Sequence, residues 1–549
     1  MSDEIPAGEL RPAASGRGVS MAEGLAAIRP WMLVALAMAL TAAVRVRLLE
    51  IPLERDEGEF AYVGQLMLHG IPPYLIAFNM KFPGTYAAYA AIMAVFGQTT
   101  TGIHVGLLLV NAATIVLVYL LGKRLLSAAA GVAACAAYAV LSLSPGVYGM
   151  QAHATHFVVL AAVGGTLLLV RACDRREFAV LFWSGTLYGV AILMKQHGAL
   201  FAVFAAVYLG WDHFTGRDEA RAPLFKKLGI FALGFAAPLE ATALALWWDG
   251  VFGRFWFWTV AYARQYATEL KVSDGIGMFL ITFPRVTGAN LAIWIMALAG
   301  LVLLWIRKGN RPRAAVLTSF LIFSFLAVCP GFYFREHYFV LMLPAVALLA
   351  GAAMHSLSEI LPRGALAAGG LFGAALLVPL VQQQEVLFQL SPLDCSRSMY
   401  GANPFAEAIQ IADYIRANSE KDARIAVLGS EPEIPFYANR LAATGYLYVY
   451  PLMEDQPYAL TMQDEFIQQV ESARPEYVVF VNIATSWLAR QSSPKRIFEW
   501  WKGYYPQHYV PVGVADILSE DFTEYKWGDV AGYQPQSPNV IWVLKRKEI

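Results

Sequence analysis

Charge is scarce in this chain. Only 15% of its 549 residues are Asp, Glu, Lys or Arg, against 58% hydrophobic residues, and a balance this apolar excludes an ordinary soluble protein of the same length. Basic and acidic residues cancel at 41 each, so net charge says little and no nucleic-acid partner is expected. Cysteine is nearly absent too. The four present, Cys135, Cys173, Cys329 and Cys395, show no metal-ligand spacing, which excludes a disulfide framework or a zinc site. No Walker-type or Rossmann glycine motif follows a strand, so no nucleotide site is expected. The chain also lacks an internal repeat, a low-complexity tract and a small-residue cleavage site after its first apolar run, which reads as a retained helix.

What is present is a series of long apolar runs, such as "WMLVALAMALTAAV" and "IWIMALAGLVLLWI", suited to crossing about 30 Å of hydrocarbon. About eleven spanning segments are predicted, near residues 31–48, 102–121, 128–144, 154–171, 178–194, 198–211, 228–247, 289–306, 314–330, 337–352 and 364–381. The short run 82–97 can cross or lie in the interface, and charge decides between the two. If it does not cross, Lys123 and Arg124, the "RACDRRE" turn, the "RDEARAPLFKK" loop and "RKGNRPR" join the basic tail (Arg11, Arg17, Arg29) on the cytoplasmic side, as the positive-inside rule asks. Residues 50–98 are then one extracytoplasmic loop with juxtamembrane helices. The expected division is a cytoplasmic tail (1–30), a membrane domain (31–381) and an extracytoplasmic α/β domain (382–549). That last domain is read from short buried strands, "ARIAVLG", "EYVVFVN", "HYVPVGV" and "NVIWVLK", alternating with the helical runs "NPFAEAIQIADYIRAN" and "TMQDEFIQQVESA".

This topology gathers the polar groups on one outer face. Asp56 and Glu57 follow the first span, and such a carboxylate can serve as a general base, bind a divalent cation with its neighbour, or simply cap a helix beside Arg55. Lys81, ahead of a helix opened by Pro83, can meet a lipid phosphate or snorkel to headgroups. His153 and His156 lie one turn apart and are candidate substrate contacts. Lys195, in "MKQHG", interrupts two apolar runs at a depth where charge is expensive. Arg335, His337 and Tyr338 in "FREHY" suit a phosphate clamp or an aromatic belt. Arg254 and Arg264 lie in an aromatic interfacial stretch open to holding a lipid-linked substrate.

Together, "RDEGEFAYVGQLMLHG", "NMKFPGTYAAYAAIMAVFG", the lysine at 195 and "REHYFVLMLPAVALLAG" resemble the bacterial GT-C glycosyltransferases related to protein O-mannosyltransferases and to the lipid A aminoarabinose transferase. The resemblance covers roughly residues 30–355. It implies a polytopic α-helical GT-C fold, a polyprenyl-monophosphate sugar donor, inverting transfer, and an essential acid in the first outer loop that falls on Asp56. The family's "KPP" falls on Lys81, Phe82 and Pro83. Aminoarabinose transferases carry an acid just before that lysine, where this chain has Met80.

The expected protein is therefore an inverting glycosyltransferase of the bacterial inner membrane, with active site and C-terminal domain on the periplasmic face. It moves one sugar from the lipid carrier to lipid A, a polysaccharide, a glycolipid or a protein. Asp56 is the expected base, with Glu57 beside it, and Lys81, Lys195, Arg335, His337 and Tyr338 meet the leaving phosphate. Phosphate is already a good leaving group, so no cofactor is required, while a divalent cation on Asp56 and Glu57 stays open. The alternative is a polytopic transporter or lipid flippase, since polar residues within helices also mark translocation paths.

Overall fold

The computed structural model describes residues 21–215 and 222–548; Arg11, Arg17 and the charged residues 217–221 lie outside the described residues. Nine helices come first: α1 (Met21–Arg47), α2 (Arg55–Leu68), α3 (Pro83–Phe96), α4 (Thr100–Leu125), α5 (Ala128–Leu141), α6 (Ala154–Arg175), α7 (Phe178–Met194), α8 (Ala199–Thr215) and α9 (Leu224–Trp248). Seven helical stretches are long and apolar enough to span a membrane: Arg29–Arg47, α4, α6, α9, Lys308–Val328, Glu336–Ile360 and Gly364–Gln382. A bent pair, Val272–Thr287 and Leu291–Ile306, turns by 101° and makes an eighth if counted as one span, while α3, α5 and α7 are apolar but shorter. Each of the eleven predicted segments falls on a helix. The helix Val272–Thr287 was not foreseen, because Asp274, Pro284 and Arg285 interrupt its apolar run.

Local chemistry sets the ends of these helices. Thr99 and Ser127 cap α4 and α5 by accepting the backbone N–H of Gly102 and Ala130. Pro83 opens α3 and Gly97, at φ 91°, closes it. The helices pack through small residues: Gly185 and Gly189 of α7 and Gly234 of α9 bring those two backbones so close that an added Cβ would strike the carbonyls of Phe231, Phe235 and Phe182.

Residues beyond 400 fold around one six-stranded sheet ordered β2-β1-β3-β6-β4-β5, with β1 Arg424–Leu428, β2 Leu441–Ala442, β3 Tyr477–Asn482, β4 Tyr509–Ile517, β5 Thr523–Trp527 and β6 Val540–Arg546. β1 runs parallel to β2 and β3, and the remaining pairs are antiparallel. Alternation along the strands feeds two cores. Ile425, Val479 and Val543 join the helix Phe405–Ala417, whereas Ala426, Val478 and Leu544 join the helices Ala459–Ala473 and Arg496–His508. The four predicted strands are β1, β3, β4 and β6. The two-residue β2 and the exposed, charged β5 carry too little apolar pattern to be read from sequence.

This domain is clamped onto α2. Arg55 forms a 2.8 Å ion pair with buried Glu431, the Leu53 N–H donates to the Tyr437 hydroxyl at 2.8 Å, and the Ala442 N–H donates to the Tyr62 hydroxyl at 2.7 Å. Gly58 lets Glu433 approach so closely that a Cβ there would sit 2.7 Å from the Glu433 backbone nitrogen. Any larger residue at 58 would push the domain off the helix.

Candidate active site

A cavity of about 260 Å³ opens where α2, the loop before α3, the α7–α8 turn and the 330–338 segment meet the C-terminal domain. Its wall contains Asp56, Lys81, Lys195, Arg335, His337 and Tyr338. Six residues spread over 283 positions of sequence thus share one space. Each is placed by a helix end: Asp56 in the first turn of α2, Lys81 just before Pro83 opens α3, Lys195 at the C-cap of α7, and Arg335 and His337 at the entry to Glu336–Ile360. Helix ends are where a membrane helix can place charge without burying it in lipid.

Asp56 sits at the centre. Its Oδ1 accepts from Lys81 Nζ at 2.7 Å and from the Tyr448 hydroxyl at 2.9 Å, while Oδ2 lies 3.8 Å from His337 Nε2. A quarter of its side chain is accessible, from the cavity side. Burial is the largest single influence and works against the charge, but the Lys81 ammonium and its hydrogen bond, together with His337 and His153, outweigh it and hold the carboxyl well below the usual carboxylate range. Asp56 is therefore ionised at neutral pH.

Lys81 is already engaged. Besides Asp56 it reaches Glu59 Oε2 at 2.6 Å, and Glu59 also accepts from Asn79 and Tyr86. Lys195 and Arg335 differ: among the described residues neither forms an ion pair with a carboxylate. Lys195 Nζ lies 3.9 Å from the Tyr338 ring centroid, and burial pushes its ammonium down to about 7. The Arg335 guanidinium packs 5.6 Å from the Tyr333 ring. Among the described residues that line the cavity, these two basic side chains keep capacity for an anion.

Several candidates stand elsewhere. Glu57, one residue and about 100° of helix rotation from Asp56, is fully buried and faces away. It completes the capping box with Glu54, accepts the Ala152 N–H, and pairs with His104 Nε2 at 3.0 Å. Its carboxylate is thus taken up by buried partners, and it is not among the residues that line the cavity. A different trio does come together: one ligand atom each from Asp56, His153 and His337 lies within 4.8 Å of the others, with the two imidazoles stacked at 4.1 Å. Neither ring nitrogen of His153 makes a hydrogen bond among the described residues, so the donor set fits a divalent cation. His156, one turn further along α6, is buried and does not line the cavity. Arg254 donates to the Leu75 carbonyl and covers Phe78, and Arg264 is exposed. Neither arginine reaches the cavity.

The C-terminal domain supplies the opposite wall with Tyr448, Tyr450, Pro451, Glu454, Leu488 and Arg490. None of these was foreseen, because nothing local in sequence ties position 448 to position 56. Glu59 could have been, since it stands at i+3 from Asp56 on the same helix face. At the mouth, Tyr262 donates to Glu454, Arg490 pairs with Glu269, and Tyr266 stacks on Tyr333 at 4.7 Å.

Comparison with known proteins bears on the fold. Residues 81–240 match the sequence family described as dolichyl-phosphate-mannose-protein mannosyltransferase. No curated protein matches the chain. In structure it is similar to ArnT from Cupriavidus metallidurans, solved bound to undecaprenyl phosphate: 16% identity, 84% of this chain and 93% of that one covered, TM-score 0.57. It is also similar to the Archaeoglobus fulgidus oligosaccharyltransferase solved in complex with Zn and sulfate: 13% identity, 90% and 72% covered, TM-score 0.52. The protein is a multi-pass membrane protein with the fold of the GT-C glycosyltransferases.

Proposed function

We propose that the protein is an inverting glycosyltransferase that moves a single sugar from a polyprenyl-monophosphate carrier to a hydroxyl acceptor. The site faces the periplasm of the bacterial inner membrane. One observation carries this reading: an ionised carboxylate, Asp56, shares a cavity with two cations, Lys195 and Arg335, that have no carboxylate partner among the described residues. The match of residues 81–240 to a family named for a dolichyl-phosphate sugar donor supports it.

In this reaction the acceptor oxygen attacks the anomeric carbon, the bond from that carbon to the phosphate oxygen breaks, and the acceptor proton passes to Asp56 Oδ2. The lipid phosphate leaves with the bonding electrons, so negative charge grows on it. Lys195 and Arg335 are placed to neutralise that charge, with the Tyr338 hydroxyl and His337 beside them. Asp56 is a weak base, which suits an oxocarbenium-like transition state. The acceptor proton becomes acidic only once bonding to the sugar has begun. Lys81, held between Asp56 and Glu59, keeps the base ionised rather than gripping phosphate. Asp56, His153 and His337 are the residues that would hold a divalent cation, and such a cation would supply positive charge that acidifies a bound hydroxyl. Burial of the reacting atoms among Tyr262, Tyr266, Tyr338 and Tyr450 limits hydrolysis of the donor by water.

The test is turnover of undecaprenyl-phosphate-linked sugars by purified protein, with envelope lipids and polysaccharides as acceptors. Asp56→Asn should lower kcat at least ~100-fold, the lower end for loss of a general base, with an unchanged melting temperature. A folded Asp56→Asn protein with full turnover would remove the mechanism.

A further inference from the structure

The carboxylate of Asp56 has two oxygens in different situations. Oδ1 accepts hydrogen bonds from Lys81 at 2.7 Å and from Tyr448 at 2.9 Å. Among the described residues Oδ2 has no hydrogen-bond donor, His337 Nε2 at 3.8 Å being too far for one. A carboxylate at the start of a helix can turn about its last torsion at little cost, since that torsion is broad. Two donors converging on one oxygen stop the turning, and they come from different parts of the chain. Lys81 belongs to the helical half. Tyr448 belongs to the C-terminal domain, 392 residues away.

Tyr448 is itself held firmly. Its ring is 7% exposed and packs in a cluster with Phe60, Tyr86 and Phe436. The backbone beside it is fixed by the Val449 N–H donating to Ser430 Oγ at 3.0 Å, and by the Phe78 N–H donating to the Gly445 carbonyl at 2.7 Å. Ser430 also offers its carbonyl to Arg55 Nε at 2.5 Å. The same serine thus grips the residue before Asp56 and the residue after Tyr448. Docking of the domain and placement of the hydroxyl are one geometric event.

We propose that the C-terminal domain acts in the reaction through Tyr448, a positioning residue that pins Oδ1 of Asp56 and so turns Oδ2 toward the acceptor hydroxyl. This rests on the reading of Asp56 as the base. The domain then completes the catalytic centre instead of merely covering it, and a chain without it keeps the acid but loses its aim.

Tyr448→Phe removes the hydroxyl, and with it the 3.4 Å hydrogen bond that Lys81 Nζ donates to that oxygen, but keeps the ring, whose centroid lies 5.0 Å from Lys81 Nζ. With undecaprenyl-phosphate-linked sugars as donor, kcat should fall about tenfold, as for the net loss of a hydrogen bond to a charged group. The donor KM should stay within about twofold and the melting temperature should not move. Tyr448→Leu should lose a similar share of kcat and melt lower. A purely structural tyrosine gives the reverse: wild-type kcat in Tyr448→Phe and damage only in Tyr448→Leu. Wild-type turnover of Tyr448→Phe beside an inactive Asp56→Asn overturns this inference alone, whereas full turnover of Asp56→Asn overturns the base assignment and this inference with it. A second measurement needs no donor. Carbodiimide labelling of Asp56 in the intact protein, followed by mass spectrometry, should be several-fold faster in Tyr448→Phe than in wild type, and equal rates overturn the proposal.

Discussion

The two walls of the cavity differ in kind. The helical wall carries Asp56, Lys81, Lys195, Arg335 and His337, while the C-terminal wall is mostly Tyr448, Tyr450, Pro451 and Leu488, with Glu454 and Arg490 at the mouth. Charge clusters where helices end and the C-terminal domain provides neutral hydroxyls and rings. The proposed mechanism assigns the chemistry to the helical wall and the positioning of Asp56 to the C-terminal domain.

The sharpest way to break that contrast lies within α2. Asp56→Asn should abolish turnover in a folded protein, whereas Glu57→Gln should leave the folded fraction active and cost about 1–3 kcal/mol of stability, because its partners His104 and the Ala152 N–H are buried. Comparing kcat with thermal melting for the two variants checks this, and a Glu57→Gln protein that melts normally but is inactive would move the acid chemistry to Glu57. Next comes the junction between the walls. Glu431→Gln leaves Arg55 buried without its ion pair, and should weaken domain docking by about 3 kcal/mol, as when one partner of a buried pair is removed. Faster proteolytic release of a fragment beginning near residue 390 is the readout.

A smaller effect concerns the unpaired cation. Burial sets the Lys195 ammonium at about 7, so it is charged below that pH and neutral above it. Donor KM should therefore rise as pH passes upward through 7, and this rise should vanish in Lys195→Met, whose KM is about tenfold higher throughout, as for one lost charge-assisted hydrogen bond. A flat KM profile in wild type would remove Lys195 from phosphate binding. Smallest of all, Arg264→Ala should change kcat and KM by less than twofold, since that exposed side chain does not line the cavity.

The legibility of this protein in its sequence follows the range of the forces involved. Helices were readable because apolar runs and caps such as Thr99 and Ser127 are local. β1, β3, β4 and β6 were readable from buried alternation. The standing of Asp56, Lys81, Lys195, Arg335 and His337 at the ends of apolar segments was readable, because charge in an apolar chain has few tolerable places. Glu57 follows Asp56 in sequence, but the helix turns its side chain by about 100° from that of Asp56, toward His104 and the Ala152 N–H. The side chains that do meet Asp56 are Lys81 at 2.7 Å and Tyr448 at 2.9 Å, with His337 at 3.8 Å, each brought by a different segment.

The sequence by itself determined which residues carry charge and at which helix ends they stand, because the cost of burying charge in hydrocarbon acts on each residue separately. Only the tertiary structure decided which of these charges share one cavity, that Lys81 is spent on Asp56 and Glu59 while Lys195 and Arg335 are not, and that a tyrosine from the C-terminal domain holds Oδ1. Those outcomes depend on distances of a few ångströms between segments up to 392 residues apart, and no local pattern encodes such a distance.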